Sequence, residues 1–142
     1  MSLLDRVRDL LRSAQEPELT PDTPGLAVVA EAFDIAEADS AVLARSHSWC
    51  AGKAAVLRHH LSLPSGRVAE AGRLLAQDGW ELRTVSESEG ASRLHALRVQ
   101  QLDALHCAQE RSRMAGLAQR LGGDSLGWDA LQPMDSAEDH RK

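Results

Sequence analysis

Aromatic side chains are almost missing from this sequence: three Trp and one Phe stand among 142 residues, and there is no Tyr. A hydrophobic core must therefore be assembled from Leu, Val and Ala. The 43% apolar and 26% charged content is nevertheless ordinary for a soluble globular chain. Lysine is scarce as well, occurring only at Lys53 and Lys142, so arginine carries nearly all the positive charge. The formal net charge is −5. Such a surface repels phosphate and argues against direct nucleic-acid binding, which rests largely on cations displacing counterions. No apolar run approaches the roughly 18 residues that a membrane span needs. The first eleven residues are amphipathic and charged, without the apolar stretch of a signal peptide. Cys50 and Cys107 lie far apart and form no CxxC pair. A reduced, cytoplasmic protein without membrane contact is expected.

What is present divides the chain in three. Residues 1–52 read as a helical N-terminal extension, with a proline-rich linker near residues 15–25, "QEPELTPDTPG". Within it, Leu3, Leu4, Val7, Leu10 and Leu11 share one helical face behind Ser2, a candidate N-cap, with Asp5 in the first turn. The Ala-rich stretches "LAVVAEAF" and "SAVLAR" read as two short helices, with Asp39 and Ser40 available to cap the second. Residues 134–142 read as a flexible polar tail.

Residues 53–133 carry the sharpest signals. "AAVLRHHLSL" alternates, placing Leu57, His59, Leu61 and Leu63 on one face of a strand and Val56, Arg58, His60 and Ser62 on the other. Ser65 caps the helix "GRVAEAGRLLAQD", in which Val68, Ala71, Gly72 and Leu75 share a face, and Gly79 supplies its left-handed end. "WELRTV" is a second strand, "SESEGA" a hairpin-length connection and "SRLHALRV" a third strand. In the third, Leu94 and Ala96 compete with Leu97 and Val99 for the inward face. A longer helix begins at the N-cap Asp103, traces its buried side through Leu105, Ala108, Met114, Ala115, Ala118 and Leu121, and stops at Gly122. "SLGWDAL" fits a fourth, edge strand. The order β-α-β-β-α-β predicts an α+β, ferredoxin-like domain with an antiparallel four-stranded sheet and two helices on one face.

Two stretches within this unit, "HHLSLPSGRVAEAGRLLAQDGWEL" and "MAGLAQRLGGDSLGWDAL", resemble the regulator of ribonuclease activity B family, protein inhibitors of the endoribonuclease RNase E. The resemblance covers roughly residues 55–131. It implies a non-enzymatic regulatory protein, without a cofactor, that binds RNase E outside its catalytic centre and modulates RNA decay. Two features depart from the family: Leu126 stands where an Asp precedes the Gly-Trp pair, and the C-terminal "MDSAEDHRK" lacks an acidic tail. The partner expected is thus a protein, RNase E or another RNA-decay component. The alternative is a ferredoxin-like small-molecule-sensing or dimerisation domain, in which the fourth strand's edge or the sheet face pairs with a second copy.

The candidate chemistry is thin. His47, Cys50, His59, His60, His106 and Cys107 supply metal-ligand residue types, yet zinc wants four convergent ligands. Adjacent strand residues such as His59 and His60 point to opposite faces. Cys50 beside His47 lacks the third group that would orient a nucleophilic pair. Cys107 reads as a small core residue, and His59 as a hydrogen-bonded core histidine. No catalytic, cofactor or metal residue is assigned. An RNA-recognition sheet would stack bases on central-strand aromatics, and here only histidines occur there. The partner-binding candidates are Arg58, His60 and Arg83 with either Arg93 or His95, a basic patch on the sheet face left free of helices. Arg111, Arg113 and Gln119 on the outer face of the long helix join them. Trp128 reads first as a seam-covering core residue and otherwise as an exposed anchor.

Overall fold

A computed structural model describes residues 2–6 and 18–134. Five strands form one sheet: β1 (Leu26–Ala32), β2 (Ala54–Pro64), β3 (Glu81–Ser88), β4 (Ala91–Gln101) and β5 (Asp124–Pro133). The helices are α1 (Asp39–Ala44), α2 (Val68–Ala76), entered through a short 3-10 turn at Ser65–Arg67, and α3 (Ala104–Arg120). The spatial order is β1-β5-β2-β4-β3, and every neighbouring pair is antiparallel. The class is α+β, as the alternation of patterns predicts.

The strand count differs from expectation. "LAVVAEAF", expected as a helix, is β1, so the sheet has five strands and crosses the boundary expected near residue 52. Alanine is the best helix former, but tertiary pairing overrides propensity here. Ala30 lies opposite Ala130 and Ala32 opposite Trp128. Small side chains on β1 suit the bulk of the neighbouring indole. β5 is correspondingly an inner strand between β1 and β2, not the edge. "SAVLAR" is helical as expected, although Ala38 takes the N-cap position without a side-chain bond. Of the N-terminal helix, residues 3–6 are helical and the Asp5 N–H donates to Ser2 Oγ at 3.0 Å. The remainder of that segment, and the expected tail at 135–142, lie outside the described residues.

All three helices contribute to a single core. Val42 of α1, Leu75 of α2 and Met114 and Leu117 of α3 join Leu57, Leu61, Leu94 and Trp128 in one buried cluster. The inward face of β4 is therefore that of Leu94 and Ala96. Leu97 is buried too, but on the opposite side. The β3–β4 turn is tighter than a six-residue connection: only Glu89 (φ 53°) and Gly90 (φ 81°) leave the ladder. Positive φ at both central residues matches the right-handed twist of the flanking strands.

On α3 the buried stripe is Cys107, Met114, Leu117 and Ala118, followed by Leu121. The expected Leu105, Ala108 and Ala115 are exposed, because the helix is turned further toward the 107–114–118 line than the leucine pattern indicates. Its start is as predicted: Asp103 Oδ1 accepts from the His106 N–H at 2.8 Å. Removing this cap by Asp103→Ala is expected to cost about 1 kcal/mol, read as a shift in the urea midpoint with an unchanged slope.

Candidate protein-docking site

Strand register decides which polar residues meet on the helix-free face. Arg58 lies between Leu97 and Asp129, while His60 lies between His95 and Gly127, and His95 is opposite Arg83. The expected set Arg58, His60, Arg83 and His95 is thus brought together, with Arg93 one row away opposite Ser62. It is not a free basic patch. Arg58 grips the buried Asp129 with both prongs of its guanidinium, Nε to Oδ1 at 2.9 Å and Nη2 to Oδ2 at 2.6 Å. His60 Nε2 lies 2.9 Å from the same carboxylate. Burial alone would push Asp129 up, but the hydrogen bonds from Arg58 and His60 outweigh it and hold the carboxyl below its usual range. Burial, helped by the charges of His60 and Arg58, holds His95 below the ordinary imidazole range. The His60 ring meets His95 at 4.4 Å and the edge of Phe33 at 5.0 Å.

Arg83 is engaged from an unexpected direction. Its Nη1 and Nη2 donate to the two carboxylate oxygens of Asp22 at 2.8 and 3.0 Å, and its Nε to Glu81 at 2.7 Å. These carboxylates raise its pKa. Asp22 precedes β1 at one edge of the sheet, whereas Arg83 sits on β3 at the other. Four strand spacings amount to about 19 Å, so the segment before β1 must run across the helix-free face to make this pair. The stretch expected as a free linker is, over residues 18–25, a strap. Leu19, Pro21 and Thr23 are half-buried while Glu18, Thr20 and Asp22 are exposed. The face beneath hides two apolar side chains, Val56 (1% exposed) and Leu97 (4%).

Among the other partner-binding candidates, Arg111 departs from expectation, while Trp128 lies in the core as its first reading has it. Arg111 turns inward, donating to the carbonyls of Ala32 and Glu37, both at 3.2 Å, and pairing with Asp39 at 3.3 Å. It stitches α3 to the β1–α1 loop instead of facing a partner. Arg113 pairs with Asp78 beyond the end of α2, and Gln119 is exposed. Trp128 is fully buried, and its Nε1 donates to Asp39 Oδ1 at 3.1 Å. It is a core residue and no exposed anchor, and the indole's one polar atom is satisfied within the core.

A small cleft of about 90 Å³ opens where the β1–α1 loop meets the start of β5, lined by Ala32, Phe33, Ile35, Arg111, Leu126 and Gly127 among others. The sole Phe of the chain is 47% exposed at its rim, and Ile35 is 94% exposed. Reading the sequence passed over both, because they lie in a segment taken as helix and its exit. The run before Phe33 gives no strand signal, being alanine-rich with Val28 and Val29 as its only β-branched residues. Asp22 and Asp129 were passed over as well, since their partners are 61 and 71 residues distant.

Of the reactive residue types, Cys107 and His59 are buried, whereas His47 and Cys50 are exposed. Burial pushes the Cys107 thiol up to about 12, with Glu110, Asp39 and Asp103 adding to it. His59 is in the core as expected. Among the described residues, however, neither ring nitrogen has a hydrogen-bond partner, so it is not the hydrogen-bonded histidine that was expected. Its ring meets the edge of Trp80 at 5.2 Å, and Arg98 covers that indole at 4.1 Å. Cys50 is exposed, and its backbone is clamped by the buried Gln132, whose Oε1 accepts from the Cys50 N–H at 2.9 Å. Among the described residues no three His, Cys, Asp or Glu side chains gather in metal-binding geometry. No helix among them is long and apolar enough to cross a membrane. Searches of protein families, of curated proteins and of solved structures find no match to this chain.

Proposed function

We propose that this chain is a non-enzymatic regulatory domain that acts by holding a protein partner at the cleft between the β1–α1 loop and β5. The observation that carries this reading is the exposure of Ile35 and Phe33 beside that cleft. Large apolar side chains gathered at a concavity are the usual anchors of a protein interface. Arg111 and its bonds to Ala32 and Glu37 hold the loop in place, so the rim is presented ready-made and little ordering entropy is lost on docking. The order β5-β2-β4-β3 supports reading β2 to β5 as a ferredoxin-like unit to which β1 has been added. The resemblance over residues 55–131 points to RNase E, or another component of RNA decay, as the partner, in the cytoplasm and without a cofactor.

Purified RNase E tests this directly. Adding the chain is expected to slow its cleavage of RNA. Ile35→Asp is expected to weaken the complex at least about tenfold, the equivalent of 1.4 kcal/mol, without lowering the melting temperature. A ribonuclease that neither binds nor changes rate removes the assigned target. A complex indifferent to Ile35→Asp removes the assigned site. Strand pairing with a second copy is the weaker reading, since the β5 edge proposed for it is taken by β1. The free edge of β1 is itself blunted: the strand is bulged between Val28 and Ala30, and Arg45 Nη2 donates to the Glu31 carbonyl at 2.8 Å.

A further inference from the structure

We infer that the helix-free face is a receptor for an acidic turn in a peptide segment of a partner protein, and that the strap at residues 18–25 occupies it as an internal stand-in, with Asp22 on the Arg83 fork where a partner's carboxylate would sit. This site centres on Arg83, adjoins the Phe33–Ile35 cleft through His95 and His60, and does not depend on RNase E being the target.

Three observations carry it. The first is charge complementarity already in use: a planar guanidinium receives a carboxylate through two parallel bonds of 2.8 and 3.0 Å. This is the geometry by which arginine selects carboxylates. Glu81 holds the Arg83 Nε at 2.7 Å, which leaves the two Nη groups as the seat for one further carboxylate.

The second is the weakness of the latch. Asp22 is 73% exposed, and exposed ion pairs contribute little to stability. The strap's own hydrogen bonds close within its Thr20–Thr23 turn: the Thr23 N–H donates to the Thr20 carbonyl at 3.1 Å and the Thr20 N–H to Thr23 Oγ1 at 2.9 Å. It can lift off as a unit without breaking a sheet ladder.

The third is the shape of the occupant. Pro21 and Asp22 are the central residues of the Thr20–Thr23 turn, and proline at the first of them presets the backbone and leaves little entropy to lose. The half-buried Leu19 and Pro21 lie on the face that hides Val56 and Leu97. The ligand is therefore an acidic residue that follows proline and is presented at a turn.

The test uses the full chain and a synthetic peptide of the strap sequence, ELTPDTP, supplied in trans. Asp22→Ala is expected to speed amide exchange over residues 18–24 and to tighten binding of the added peptide at least about fivefold, because the fork is vacated. Arg83→Ala is expected to abolish that binding. Arg83→Lys, which keeps the charge and loses the fork, should recover only part of it, and the peptide with Asn for its Asp should fail. The inference is overturned if Asp22→Ala leaves exchange and affinity unchanged, or if peptide binding survives Arg83→Ala. It is equally overturned if a short RNA binds the Asp22→Ala chain more tightly than the peptide, since the fork would then be a phosphate site.

Discussion

Gly127→Ala is expected to destabilise the fold by about 4 kcal/mol. Gly127 has φ +123°, in the region that L side chains rarely adopt. A Cβ built there would run into the Ala32 carbonyl oxygen and would lie 2.7 Å from Phe33 Cδ1 and 3.0 Å from Phe33 Cα. Two of these three atoms are backbone and cannot step aside. Strain of about 1–2 kcal/mol from the dihedral adds to about 1–3 kcal/mol from overpacking. The register explains the crowding: Gly127 lies opposite His60 on the helix-free face, and the Phe33 ring rests there against the imidazole. A thermal melt should therefore fall by roughly 10–15 °C. Gly116→Ala supplies the contrast. It lies in α3 with nothing within 4 Å of its added methyl, and it is expected to gain about 0.5–1 kcal/mol. Equal melts for the two variants would mean that the approach of β1 to β5 is not as close as described.

The second large effect is a loss of stability in acid that runs through His59. Its imidazole is almost wholly buried, and burial is the main force lowering its pKa from 6.5 to about 3. The charges of Arg111, His60 and Arg98 act in the same direction, and Asp129 opposes them. In the unfolded chain the same imidazole titrates normally. Between pH 6.5 and about 3 the unfolded state therefore binds a proton that the folded state refuses. Stability is complete above that window and falls steadily as the pH drops through it. By pH 4 the loss from this group is about 3 kcal/mol. His59→Leu is expected to keep or slightly raise stability at pH 7, since two unpartnered buried nitrogens are removed. It should also flatten the decline from pH 7 to pH 4 by about 3 kcal/mol relative to the parent. Urea unfolding of both proteins at the two pH values decides the matter. Parallel declines would show that the imidazole finds water or a partner on protonation.

Much of the sheet could be read from residue spacing, and the reason is physical. β2 separates a helix-facing row, Leu57 to Leu63, from a row containing Arg58 and His60, and a strand with unlike faces writes period two into its sequence. Gly79 and Gly122 have φ of +83° and +85°, where only glycine sits without cost, so they mark their helix ends. Asp103 marks a helix start in the same way. β1 could not be read, because its alanines answer to Trp128 and α1 and not to the local chain. In the site, parity along β2 is enough to put Arg58 and His60 on one face, whereas His95 joins them only because Leu94 and Ala96 take the inward face of β4. The neutralising carboxylates were not legible. Asp129 and Asp22 act through partners far along the chain, and spacing carries no record of which arginine a distant aspartate meets.

β1 has only β5 for a neighbour among the described strands. Where the ladder closes, the Met134 N–H donates to the Gly25 carbonyl at 2.8 Å. A nascent chain therefore carries Leu26–Ala32 as an orphan ribbon until Asp124–Pro133 has emerged, and β2 likewise waits for one of its two flanks. Such late, distant closure slows folding and lengthens the time that sticky edges are on offer to other chains. Truncation ahead of β5 would leave both edges permanently unmatched, making aggregation the foreseeable fate of any prematurely terminated product.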